Sequence, residues 1–172
     1  MATTYEAIAT VTATTSVATI DFNSIPATYT DLLVYISARS SLSTQAGVKI
    51  QFNSNSSAVY DIRNITGNGS TPNSGAATSQ TFGYDVSLTN PGNYTANTFS
   101  NGYIYIPNYA SSNHKSFSVD TNAENNATLA DCALEAGIWR NTAAITSVNL
   151  SDLGGGNFVQ YSSATLYGIK NS

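Results

Sequence analysis

Four segments of the sequence place an apolar side chain at every second position. Val48, Ile50 and Phe52 are apolar, and Lys49, Gln51 and Asn53 beside them are polar. The same beat runs through Ala18-Ile20-Phe22, Leu32-Val34-Ile36-Ala38 and Phe82-Tyr84-Val86-Leu88. A period of two puts alternate side chains on opposite faces of a strand, so one face can be buried while the other stays wet. The pattern recurs from end to end, which predicts an all-β fold of about eight to eleven antiparallel strands in two layers. Short strands with turns every ~8–12 residues point to a sandwich or a barrel.

The punctuation sets expected boundaries. Strands are predicted at 5–11, 17–22, 31–39, 48–53, 59–65, 80–88, 99–106, 116–120, 134–140, 145–150 and 164–169. Pro26 and Pro107 close strands because they cannot donate to a ladder. Asn90-Pro91-Gly92-Asn93 reads as a turn, and Gly67–Ser79 as the longest surface loop. One stretch, Asn126–Ala136, carries Leu129, Cys132, Ala133 and Ala136 at helical spacing and is the one candidate for a helical turn.

A length of 172 residues suits a single domain, 1–172, with a short flexible arm over residues 1–4. Hydrophobic residues make up 41%, enough for one core. Only 9% of residues are charged, against roughly 25% in ordinary soluble proteins. Ser, Thr, Asn and Gly supply the polarity, and such a surface tolerates packing against other subunits. Eleven Tyr and six Phe argue against disorder. Six Lys and Arg lie singly within a net charge of −4, which argues against nucleic-acid binding. No apolar run approaches the ~18 residues of a membrane span. The opening Met1–Glu6 lacks a secretory leader, so synthesis in a cytoplasm is expected.

Residues with chemical potential are sparse. His114 is the lone histidine, among Ser111, Ser112 and Lys115, and no Gly-x-Ser-x-Gly elbow exists. A lone His and a lone Cys leave no usual zinc set. Cys132, beside Asp131 and near Glu135, reads as a small core residue, since a reactive thiol wants a basic neighbour. Asp120-Thr121-Asn122-Ala123-Glu124-Asn125 resembles the front of a calcium loop, but Asn125 stands where the sharp-turn Gly belongs. It reads as a polar inter-strand loop. Asn-x-Ser/Thr triplets at Asn55, Asn64, Asn68, Asn93, Asn126 and Asn149 follow from composition. The expectation is no cofactor, no metal and no enzyme activity.

The tyrosines are more suggestive. In Tyr103-Ile104-Tyr105-Ile106 the isoleucines and tyrosines take opposite faces. With the isoleucines in the core, Tyr103 and Tyr105 form an exterior stripe of a residue type that suits interfaces and sugar platforms. Tyrosines also line the rims of sandwich cores.

Three stretches carry a family resemblance. They are Gly137-Ile138-Trp139-Arg140-Asn141-Thr142-Ala143-Ala144-Ile145-Thr146-Ser147-Val148, the closing Ser163-Ala164-Thr165-Leu166-Tyr167-Gly168-Ile169, and the opening Tyr5–Thr10 with Ile20–Leu32, to which the Phe52-Asn53 strand end with its Asn/Ser tail is added. The chain resembles small β-rich virion proteins of tailed bacteriophages across essentially its whole length. These are capsid decoration (cement) proteins and fibre knobs. The resemblance implies a jelly-roll-like β-sandwich, assembly as a homotrimer, residence on the virion after assembly in the host cytoplasm, and contact with the major capsid protein or another virion protein. It transfers no catalytic residue. The expected contact residues are Thr3, Thr4, Tyr5, Tyr103 and Tyr105. A receptor-binding fibre protein touching surface glycans and a carbohydrate-binding module stay open as alternatives, with a hydrolase more distant.

Overall fold

The computed structural model describes residues 4–44, 47–86, 89–124 and 130–170. Twelve strands occur among them: β1 (Tyr5–Thr12), β2 (Thr19–Phe22), β3 (Asp31–Ser37), β4 (Val48–Phe52), β5 (Tyr60–Gly67) and β6 (Pro72–Gln80) in the first half. The second half holds β7 (Gly83–Asp85), β8 (Asn101–Ile106), β9 (Lys115–Glu124), β10 (Ala130–Trp139), β11 (Val148–Asp152) and β12 (Ser163–Ile169). Two antiparallel sheets pack face to face. The large one has the order β1-β12-β3-β8-β9-β10-β5-β6, and the small one β2-β11-β4-β7.

With two excursions set aside, the chain crosses between sheets at every step except β4 to β7, which pair within the small sheet. The run β1, β3, β8, β12 on one side and β2, β4, β7, β11 on the other is an eight-stranded jelly roll. The excursions are hairpins, β5–β6 and β9–β10. They pair with each other through β10 and β5, and with the jelly roll through β8 and β9. They widen one sheet to eight strands while the other stays at four.

The alternating segments behave as the period demands. Val48, Ile50 and Phe52 are fully buried, as are Leu32, Val34, Ile36 and Ala38, and Leu166 joins them. Ile20 and Phe22 are buried, while Ala18 lies outside β2 and is exposed. Phe52 is the hub: its ring meets Phe117 edge-on at 5.6 Å and Trp139 at 5.7 Å, and Tyr60 stacks on Trp139 at 6.4 Å. The Tyr60 hydroxyl accepts the Phe52 N–H at 2.9 Å. Phe117 lies directly over Gly137, where any Cβ would collide with its ring.

Several expectations are corrected. The supposed loop Gly67–Ser79 is mostly β6. Its residues are small and polar and almost wholly exposed, so cross-strand pairing alone holds them extended, with no burial periodicity to announce them. The strand expected over 80–88 shortens to β7, with Leu88 outside the described residues. There Gly83 and Asp85 point inward, while Phe82 and Tyr84 sit half-buried on the other side, Phe82 beneath the Lys49 ammonium at 5.0 Å. The possible helical turn is strand from Ala130 onward, and 125–129 lie outside the described residues. Alternation along β10 buries Ala133 and leaves Cys132 exposed, with its thiol facing the Gly67 carbonyl at 3.5 Å.

Three buried polar groups brace the frame. Arg39 lies just beyond β3. Its guanidinium donates to the carbonyls of Gly92, Tyr94, Thr95 and Thr98 at 2.9–3.0 Å, which fixes the segment leading into β8. Asp85 of β7 accepts the Thr121 hydroxyl at 3.2 Å, and Glu135 of β10 accepts the Val86 N–H at 3.3 Å. These bonds tie the inserted hairpin β9–β10 to the small sheet. Burial, and then the negative charge of Asp85, push the Glu135 carboxyl up to about 9.

Two outcomes follow. Phe52→Ala removes the ring on which three others rest, and should cost about 3–5 kcal/mol in chemical denaturation. Glu135 binds its proton in the folded state and releases it on unfolding between its ordinary pKa and about 9. Stability should therefore fall as pH rises through that window. Glu135→Gln should flatten this dependence in thermal melts from about pH 5 to about pH 9, and stabilise the protein by about 1–2 kcal/mol at the alkaline end.

Candidate functional site

The large sheet has one face against the core and one outward. The outward residues are set by register. One row reads Thr10, Thr165, Tyr35 and Tyr103 across β1, β12, β3 and β8. It continues through Asp120, Leu134, Ile65 and Ser74 on β9, β10, β5 and β6. The next row carries Tyr167, Leu33, Tyr105, Ser118, Ala136 and Arg63. Aromatic rings thus concentrate on the jelly-roll half, and aliphatic side chains on the inserted half.

The rings support one another. Tyr35 meets Tyr103 edge-on at 6.0 Å and Tyr167 at 5.9 Å. Leu33, though on this face, is buried between the tyrosine-bearing strands. Acids hold the phenols. Tyr105 donates to Asp31 at 2.9 Å, and the other oxygen of Asp31 accepts the Asn108 N–H at 2.9 Å. Tyr103 donates to Asp120 at 3.4 Å. The negative charge of Asp120, followed by burial and this hydrogen bond, raises the Tyr103 pKa. Burial, followed by the bond to Asp31, raises that of Tyr105. Both phenols stay protonated donors at neutral pH.

Beside the rings the face is weakly charged yet apolar in places. Ile65 is 63% exposed and Leu134 58%, high values for neighbouring aliphatic side chains. A depression of about 350 Å³ lies among Tyr103, Asp120, Leu134, Ile65 and Arg63. A second, of about 280 Å³, lies on the other side of Tyr103, bounded by Tyr35, Ser37, Asn101 and Thr165. Asn101 and Asn122 exchange side-chain hydrogen bonds at 2.9 and 3.1 Å.

The expected contact residues are divided by this geometry. Ile104 and Ile106 are buried, and Tyr103 and Tyr105 lie outward as the alternation requires. Tyr5 is exposed at the start of β1, and Thr4 accepts the Lys170 N–H at 3.0 Å. Thr3 lies outside the described residues. Tyr35, Tyr167, Ile65 and Leu134 complete the face and were not singled out from sequence. Tyr35 alternates cleanly within its own segment, but only the register shows that it meets Tyr103.

Other motifs resolve locally. His114 is exposed just before β9. The calcium-like segment is β9 itself as far as Glu124, and its alternate Asp120 and Asn122 are held by Tyr103 and Asn101. Among the described residues no three His, Cys, Asp or Glu side chains gather to hold a metal ion. No family model matches the chain, and no curated protein matches it.

Asp120→Asn removes the charge that most opposes ionisation of Tyr103. The Tyr103 pKa should drop toward the ordinary tyrosine value in a spectrophotometric titration, while the melting temperature changes little, since the pair is exposed.

Proposed function

We propose that this chain is a non-enzymatic structural protein of a bacteriophage virion, a capsid decoration (cement) protein that binds the assembled shell and stabilises it. The observation that carries this reading is the outer face of the large sheet. Tyr35, Tyr103, Tyr105 and Tyr167 stand on it in a supported array, continuous with the exposed Ile65 and Leu134. Tyrosines and apolar side chains with few charges to desolvate are what a broad protein contact favours. The jelly-roll topology accords with the resemblance that the opening and closing segments carry. A protein that binds the lattice and not the free subunit shifts the equilibrium toward the assembled shell by mass action.

A second reading has its own observation. Tyr35 is half-exposed beside the hydrogen-bonding Asn101, Ser37 and Thr165, a combination that suits a sugar ring with one apolar face. It would make the protein a fibre tip on surface glycans, or a carbohydrate-binding module.

Purified particles separate these readings. The protein should co-sediment with assembled heads and not with free capsid subunits. Virions lacking it should adsorb to cells normally but release DNA on heating. Heat-stable virions that fail to adsorb would favour the fibre reading, and absence of the protein from purified particles would overturn both virion readings.

A further inference from the structure

The large sheet ends in two edges, β1 and β6, and they are built differently. β1 carries devices that blunt an edge. Its ladder with β12 slips between Ala7 and Ala9, and Glu6 is charged and paired with Lys170 at 3.6 Å. β6 carries neither over its first part. It follows β5 without a slip from Gly67 opposite Pro72 to Ile62 opposite Ala77. None of its nine residues is charged, and Asn73, Ser74, Gly75 and Ala76 are all exposed, with the Asn64 side chain lying against Gly75 on one face. The far end is closed by side chains: Arg63 donates to the Ala77 carbonyl at 3.4 Å, and the Ser79 N–H donates to Asp61 at 2.7 Å. Among the described residues, the main chain of 73–76 makes no hydrogen bond outside its ladder with β5. In an antiparallel edge strand, alternate residues turn N–H and C=O away from the sheet. Here those groups face outward without a guard.

We infer that Asn73–Ala76 is a pairing edge, and that its occupant is the same segment of a second copy, antiparallel across a twofold axis. A homotypic pair sets a segment against itself, so a charge near the twofold axis would stand close to its own copy. This segment has none. A foreign strand is selected by pockets for its side chains. Ser74, Gly75 and Ala76 offer no such pocket, whereas self-pairing needs only matching length and small side chains. The pairing also continues the outer face: Ser74 ends the row that contains Leu134 and Ile65, so these exposed aliphatic residues flank the seam in both copies. A strand edge cannot pair with its own equivalent about a threefold axis, so the assembly is a dimer in place of the trimer implied by the resemblance. The inference does not rest on the virion reading, and it stands or falls without it.

Light scattering coupled to size exclusion over a concentration series tests it, with hydrogen exchange alongside. The wild-type chain should be a dimer. Ser74→Lys should be a monomer whose melting temperature matches that of the wild-type chain diluted until it is monomeric, and Thr10→Lys on the opposite edge should remain a dimer. Amides of Ser74–Ala76 should exchange more slowly at high than at low protein concentration, a readout that needs no variant. A wild-type monomer or trimer, a dimer that Ser74→Lys leaves intact, or exchange at β6 independent of concentration would overturn the proposal.

Discussion

A sheet of eight strands cannot be covered by a sheet of four, and the aromatic contact around Phe52 is how this fold manages the mismatch. Phe52 comes from the small sheet. Phe117, Trp139 and Tyr60 come from β9, β10 and β5, the strands that lie beyond the jelly-roll half of the large sheet. Rings reach further than aliphatic side chains, so one buried cluster grips three strands of the extension at once. Gly137 leaves the room that Phe117 needs. Past that grip, toward β6, burial runs out, and the strands persist through their ladder bonds.

That division explains what the sequence revealed. Where a strand is buried on one face, its alternation writes the answer, as in Val48–Phe52 and Thr19–Phe22. Where a strand is exposed on both faces, there is no contrast to read, and β6 looked like a loop. Cys132 misled for a different reason. A missing basic neighbour argues against reactivity but not for burial, and the alternation of β10 turns Ala133 inward and leaves Cys132 outside. Tyr103 and Tyr105 were legible because Ile104 and Ile106 alternate with them. Tyr35, Tyr167, Leu134 and Ile65 were not, because meeting across strands depends on register, which no single segment encodes.

The buried polar groups lay furthest from sequence view. Nothing local distinguishes Glu135 or Asp85 from a surface acid, since both are buried by partners distant in the chain. On the outer face, charge serves order. Asp31 and Asp120 each bond a phenol and so fix where a ring edge stands. A face with few charges is thereby kept from being a loose one.

The Arg39 cradle also divides the surface into parts that can and cannot be re-engineered. Its planar fork receives carbonyls from Gly92, Tyr94, Thr95 and Thr98 at once, so the chain between them has a fixed length as well as a fixed path. Adding or removing one residue there would move several acceptors away from a buried cation together. The β5–β6 tip is the opposite case. Asn68 caps its own turn through the N–H groups of Ser70 and Thr71, and the residues around it are open to solvent. A peptide tag or a displayed epitope belongs at that tip, where the rest of the molecule would not register the extra chain.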